Sequence, residues 1–175
     1  MLRADVSVAR NNLQIIGPWI DHYFADIVTK ACPKKIKIRV LTRPLPGMSP
    51  DFINQACAAA HCFNSHGGVE FAILESLHAK VIVVDEMVAY CGSANWYRYS
   101  LESSSEIVLY GPVASMPTIL DEVASLWSLA QPVNVSVFGK AAAAGKTITG
   151  RAKEVLDPIA AAKMAQVPGS FILKR

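Results

Sequence analysis

The sequence predicts an α/β domain, a mixed β-sheet flanked by helices, and three observations lead there. Short β-prone runs alternate with amphipathic helical stretches between Leu13 and Leu129. Two of the runs, 81–84 (Val-Ile-Val-Val) and 87–90 (Met-Val-Ala-Tyr), are separated only by Asp85-Glu86, which reads as a hairpin. Hydrophobic residues make up 52% of the 175 positions, enough for one well-buried core.

Taken in order, Leu13, Gln14, Ile15 and Ile16 form a strand that ends at Gly17-Pro18. A helix follows over about 21–31, with Phe24, Ile27 and Val28 on one face. Residues 35–41 alternate basic and apolar side chains before turning apolar, as a strand entering a sheet does. After the proline-rich loop 43–50, a helix runs from Pro50 or Asp51 to about Phe63, with Ser49 as its cap. Gly67-Gly68 ends that helix, and a strand over 69–74 feeds the hairpin. A further strand over 107–110 precedes a turn at Gly111-Pro112 and a helix over 116–129 carrying Ile119, Val123, Leu126 and Trp127.

These elements place a catalytic-type domain over 1–132 and a C-terminal extension over 133–175. In the extension, 133–138 has the composition of a strand. A Gly/Ala hinge follows, then a helix over about 151–165 and a basic end at Lys174-Arg175, which either packs on a partner copy or meets an anionic ligand. The stretch from Gly139 to Thr147 imitates a phosphate-binding loop but separates its glycines by five positions where four are needed.

The most informative feature is a set of polar residues inside an apolar stretch: His78, Lys80, Asp85, Gly92, Ser93, Asn95 and Glu106. With a two-residue turn, Val84 lies opposite Met87 and His78 opposite Ser93. A longer turn slides the register by a residue or two and keeps the group together. Side chains repeat every second residue along a strand, so His78 with Lys80, and Ser93 with Asn95, project in pairs from the open end of the hairpin. Asp85 is seven residues from His78, roughly 23 Å along a strand, and is read as a turn or folding residue. An ammonium, an amide and a hydroxyl suit the non-bridging oxygens of a phosphate. A neutral imidazole can attack phosphorus if an acceptor fixes its tautomer, and Glu106, opening the strand at 107–110, is the candidate acceptor.

This pattern resembles the HKD motif of the phospholipase D superfamily, with all seven residues at that family's spacing. One departure is Ser104, where many members carry an asparagine. The resemblance implies a phospholipase D-like fold and metal-independent, cofactor-free cleavage of a phosphodiester in two steps. One histidine forms a phosphohistidine and a second protonates the leaving oxygen. Its site residues here are His78, Lys80, Ser93, Asn95 and Glu106. Two motifs are needed and this chain has one, since His22, His61 and His66 are not followed by x-Lys. The second histidine is therefore expected from another copy, in an obligate homodimer with one composite site. There, one His78 acts as neutral nucleophile and the other as protonated acid. Single-motif members of the superfamily are chiefly nucleases, which makes an endonuclease the leading expectation.

Net charge is +3 and the isoelectric point about 8.7, which favours an anionic partner such as DNA or RNA. The densest basic stretch, Lys34, Lys35, Lys37, Arg39 and Arg43, either tracks a phosphate backbone or forms a solvated edge strand. Trp96 and Tyr97 either stack on a base or sugar, or pack in the core. The mean hydropathy of +0.30 suits a chain that buries a dimer face. No apolar run reaches membrane-spanning length, and the first residues lack the apolar core of a secretory signal, so a cytoplasmic location is expected. Cys32, Cys57, Cys62 and Cys91 lack zinc-site spacing and read as buried apolar residues. Two other functions fit the composition: a phospholipid-directed hydrolase or transferase, and a nucleic-acid-binding subunit without turnover.

Overall fold

The computed structural model describes residues 1–45 and 47–138. Its elements are α1 (Leu2–Ser7), β1 (Asn12–Ile16), α2 (His22–Ala31), β2 (Lys37–Thr42), α3 (Pro50–His66), β3 (Val69–Ile73), β4 (Val81–Val84), β5 (Val88–Gly92), α4 (Arg98–Glu102), β6 (Val108–Pro112), α5 (Ile119–Leu129) and β7 (Gln131–Val133). They build one mixed sheet of seven strands in the order β6-β5-β4-β1-β2-β3-β7. The pairs β1–β2 and β2–β3 are parallel, and the other four are antiparallel. The α/β class expected from the sequence is the class observed.

Strand alternation divides the core between two faces. Leu13, Ile15, Ile38, Val40, Ile82 and Val84 turn toward α2 and α3, where Phe24, Val28 and Phe63 are buried against them. Ile16, Leu41, Ala72, Val81 and Val83 turn to the opposite face and are covered by Val123 and its neighbours on α5. Ser49 caps α3 as expected, and Asp21, expected as the start of the preceding helix, caps α2. Asp21 accepts a hydrogen bond from Phe24 N at 2.9 Å, and Ser49 accepts one from Phe52 N at 3.5 Å.

Several expectations shift. Three residues, Asp85 to Met87, connect β4 to β5, because Val84 pairs with Val88 and Val81 with Cys91. Asp85 and Glu86 both hold positive φ, 54° and 58°, a tight left-handed turn that acidic residues tolerate better than β-branched ones. Pairing stops at the Gly92 N–H to Lys80 O bond of 3.3 Å, so His78 stands in the approach to the strand and does not pair with Ser93. Gly111 and Pro112, expected as a turn, end strand β6, and the turn comes at Val113–Ser115. The helices α1 and α4 depart from the expected elements, being too short to show a periodic face.

The basic stretch also reads differently in three dimensions. Strand β2 is interior, between β1 and β3, and not an edge. Lys37 and Arg39 both pair with Glu70 on β3, at 3.1 and 3.2 Å, and Arg39 lies 3.9 Å from the centre of the Trp127 ring. Two of the five cations are thus engaged in holding strand to strand.

Expected strand residues 133–138 divide at Val133, which ends β7 opposite Phe71. Phe138 is buried and packs on Phe71 with ring centres 5.6 Å apart, so the packed unit runs at least to Phe138. The hinge, the phosphate-loop imitation, the 151–165 helix and the basic end lie outside the described residues.

Candidate active site

Strands β1, β2 and β3 are parallel and finish at one edge of the sheet, β4 starts there, and β5 returns to it. His78 and Lys80 lead into β4 at this edge, and Ser93 and Asn95 leave it after β5. Glu106 arrives just before β6, two residues ahead of the first strand residue. The five candidate residues are therefore delivered to a single rim by three separate segments.

Lys80 and His78 form one unit. The Lys80 side chain is buried, only 7% exposed, and its Nζ donates to the His78 carbonyl at 2.8 Å. The same Nζ stands 3.4 Å from His78 Nδ1 and 3.3 Å from Nε2. The two distances are nearly equal, so the ammonium sits against the ring as a whole and not in line with one nitrogen. His78 itself is exposed, so a ligand can reach it. Burial pushes the pKa of Lys80 below the ordinary lysine value, and the nearby negative charge of Glu106 opposes that shift.

The second unit centres on Glu106. One carboxylate oxygen accepts from Ser93 Oγ, and the other accepts from Ser100 Oγ at 2.7 Å. Ser100 Oγ in turn accepts from the Asn95 backbone N–H at 3.3 Å, and Ser93 Oγ accepts from Ile107 N at 3.1 Å. Hydrogen bonds from Ser100 and Ser93 hold the carboxyl below its ordinary range; burial opposes them, and Ser104 and the Lys80 charge add to the lowering. Within the chain, Glu106 thus organises the serines and the loop that carries Asn95. The imidazole acceptor role expected for it is not among its contacts here. Ser104, the departure from the family pattern, still supplies a hydroxyl to this carboxylate.

Asn95 is half-buried, and its Oδ1 is buried without a hydrogen-bond partner. Its position is set by Trp96. The indole is 2% exposed, stacks on Phe24 with ring centres 5.5 Å apart, and donates from Nε1 to Ile16 O at 2.7 Å. The Trp96 N–H donates to Trp19 O and Asp21 N–H donates to Trp96 O, both at 3.0 Å, lacing this segment to the one that leaves β1. Trp96 is a core residue, whereas Tyr97 remains partly exposed. For Trp96 the core alternative is the one observed, and sequence reasoning misses Ser100. Ser100 lies in a serine-rich run with nothing to distinguish it from its neighbours.

The other motif residues are structural. Asp85 sits at the opposite end of β4 and accepts from the backbone N–H groups of Arg10, Asn11 and Asn12 at 2.7, 2.8 and 2.9 Å. Gly92 is needed for space. A Cβ there would overlap the Ile107 carbonyl and come within 2.9 Å of Val108 Cα, both backbone. Gly92→Ala should therefore pry β6 from β5, with the Ser93 N–H to Ile107 O bond of 3.0 Å and Glu106 moving too. The expected cost is about 2–4 kcal/mol, read as a lower urea midpoint.

Of the remaining histidines, His66 is buried with Nε2 3.2 Å from Pro33 O, and His22 begins α2. Among the described residues, no group of three or more His, Cys, Asp or Glu is placed to hold a metal ion, and no helix is long and apolar enough to cross a membrane. The cysteines form no disulfide among the described residues; Cys57 donates from Sγ to Phe138 O at 2.7 Å, Cys62 and Cys91 are only partly buried, unlike the expectation, and burial pushes Cys32 up to about 11.

Comparison with known proteins agrees with the fold. The profile of a family described as "Cardiolipin synthase, PLD-like domain" matches residues 2–126. Among solved structures, the chain is similar to Nuc from Salmonella typhimurium, a phospholipase D family member, with a TM-score of 0.62 and 13% identity over 76% of this chain and 88% of that one. NucT from Helicobacter pylori gives a TM-score of 0.57 and 18% identity over 73% and 84% of the two chains. TrmBL2, an archaeal chromatin protein described with a novel mode of DNA binding, gives 0.53 and 13% identity, over 75% of this chain and 49% of that one. At these identities the likeness is one of fold. No curated protein matches the sequence.

Proposed function

The chain belongs to the phospholipase D-like family, and from that premise we propose that it is a metal-independent phosphodiesterase that acts as a homodimeric endonuclease through a phosphohistidine. The observation that carries the reading is the buried Lys80 ammonium held against an exposed His78 ring, beside a serine and asparagine pair organised by Glu106. A buried cation at a solvent-facing nucleophile is matched by a phosphate, whose non-bridging oxygens take the charge.

In the first step a nitrogen of His78 attacks phosphorus and the P–O bond to the leaving group breaks. The departing oxygen takes a proton from His78 of a second copy. In the second step water attacks the phosphohistidine, giving its proton to that same second histidine and freeing the first. Lys80 and the Asn95 amide neutralise and position the equatorial oxygens in both steps.

A second copy is favoured by the sheet edge next to the site. In β6 and the residue before it, Ile107, Leu109 and Tyr110 are 74%, 62% and 53% exposed, and β6 has a partner only on its β5 side. An apolar edge strand with its outer side unpaired, beginning beside Glu106, is a surface that association with a second copy would cover.

The test is cleavage of labelled single- and double-stranded DNA and RNA in excess EDTA, with phosphatidylglycerol and cardiolipin vesicles in parallel. EDTA-resistant cutting of nucleic acid is expected. Headgroup release from the vesicles with intact nucleic acid would replace the nuclease reading with a lipid-directed one.

A further inference from the structure

We propose that Trp19, Phe52 and Tyr97 form a base-stacking platform on the rim of the active site and that this platform selects single-stranded nucleic acid; the inference rests on the nuclease reading above. The three rings come from different segments, those that follow β1, β2 and β5, and they meet at the edge where His78 and Lys80 stand. Trp19 lies on Phe52 with ring centres 5.1 Å apart and an angle of 50° between planes. Phe52 meets Tyr97 edge-on, at 6.1 Å and 87°. All three keep solvent-facing surface, with Phe52 40% exposed, unlike Trp96 next door at 2%. Tyr97 is two residues beyond Asn95, and its N–H closes a tight turn onto Asn95 O at 2.9 Å, which keeps the ring close to the site asparagine. Arg43 stands over the Trp19 ring at 5.8 Å, so one cation flanks the aromatic surface.

Charge decides which form of nucleic acid fits. Phe52 and Tyr97 open onto a groove of about 830 Å³ whose wall carries Asp21, Asp26, Asp51 and Glu102; Lys30 pairs with Asp26 and Arg98 with Glu102, which leaves Asp21 and Asp51 outside any ion pair among the described residues. Carboxylates beside aromatic faces repel a phosphate backbone and tolerate a neutral base. A duplex presents its phosphates outward and keeps its bases stacked inside, so it would meet the carboxylates and could not reach the rings. A single strand can turn its bases onto the platform while its backbone passes the Lys80 side. The basic stretch on β2 offers no competing duplex track at its middle, since Lys37 and Arg39 are paired with Glu70.

The experiment compares the affinity of the His78→Ala protein for short oligodeoxyadenylate, for an abasic oligomer of the same length and charge, and for the matching duplex, at one fixed salt concentration. The single strand should bind roughly 10-fold or more tightly than the abasic chain, the value of stacking one or two bases. It should also bind more tightly than the duplex, and Phe52→Leu should remove most of the base-dependent gain. Equal affinity for the abasic and adenylate strands, or tighter binding of the duplex, overturns the proposal. Because the ligand is altered before the protein, a misfolded variant cannot imitate that result. Cleavage of bis(p-nitrophenyl) phosphate in EDTA, measured alongside with wild-type protein, reports the phosphodiesterase chemistry without bases. Turnover of that reporter with no base dependence removes the platform and leaves the proposed function standing.

Discussion

His78→Ala should lower the cleavage rate by about 10⁴-fold or more at saturating substrate, because it removes the nucleophile and the proton donor together. The side chain is exposed, so stability should change by no more than about 0.5 kcal/mol, and circular dichroism melts of the two proteins should overlay. Mixing experiments then separate a composite site from a self-sufficient chain. If equal amounts of wild type and variant are unfolded and refolded together, random pairing leaves about a quarter of the dimers with both histidines. Activity per chain should fall to about a quarter of the wild-type value. A fall only to about half would mean that each chain works alone, which contradicts the shared site. Size-exclusion chromatography with light scattering on the same samples checks that exchange has occurred.

Asp85→Ala should cost about 2–4 kcal/mol of folding stability and leave the chemistry of the surviving folded protein largely intact. Its carboxylate gathers the backbone N–H groups of Arg10, Asn11 and Asn12, tying the turn after α1 to the end of β4. Alanine deletes all three acceptor contacts and also sits poorly at φ 54°. Asp85→Asn keeps one oxygen and tolerates that backbone, so it should cost less. The pH dependence has a definite sign. Burial raises the Asp85 carboxyl, but the donors from Arg10, Asn12 and Asn11 outweigh it and leave the pKa below its ordinary value. A group whose folded pKa is depressed contributes stability above its unfolded pKa and loses it as pH falls through the folded one. The difference in urea midpoint between wild type and Asp85→Asn should therefore be full near neutrality and shrink below about pH 4. A difference that grows on acidification would contradict the assignment.

Asp85 and His78 belong to one sequence pattern and lie at opposite ends of β4. Their separation is legible in the spacing alone, because a strand advances by about 3.3 Å per residue and a seven-residue gap is too long for one small ligand. The strand and helix order is legible for a similar reason. Alternating residues such as Leu13 and Ile15 must share a face, and Asp21 and Ser49 mark helix starts through local hydrogen bonds. The convergence of His78, Lys80, Ser93 and Asn95 follows from the same counting. One register step separates the observed hairpin from the expected one, since turn length depends on backbone angles at Asp85 and Glu86 that side-chain type only biases.

Long-range partnerships are not legible in this way. Nothing local shows that Ser100 would hold Glu106, that Trp96 would reach Ile16 O, or that Glu70 would take up Lys37 and Arg39. Each joins residues whose approach is set by strand order and helix packing, and a sequence position carries no record of its neighbours across the sheet. The periodicities and the spacing of the polar set therefore determined the fold class, the main elements and the candidate phosphate-handling residues. Only the tertiary structure decided that Lys80 is buried against His78, that Glu106 serves the serines, and that Trp19, Phe52 and Tyr97 share one rim. Local propensity and alternation act within a few residues of chain, whereas burial and charge pairing depend on which distant segments the packed sheet brings together.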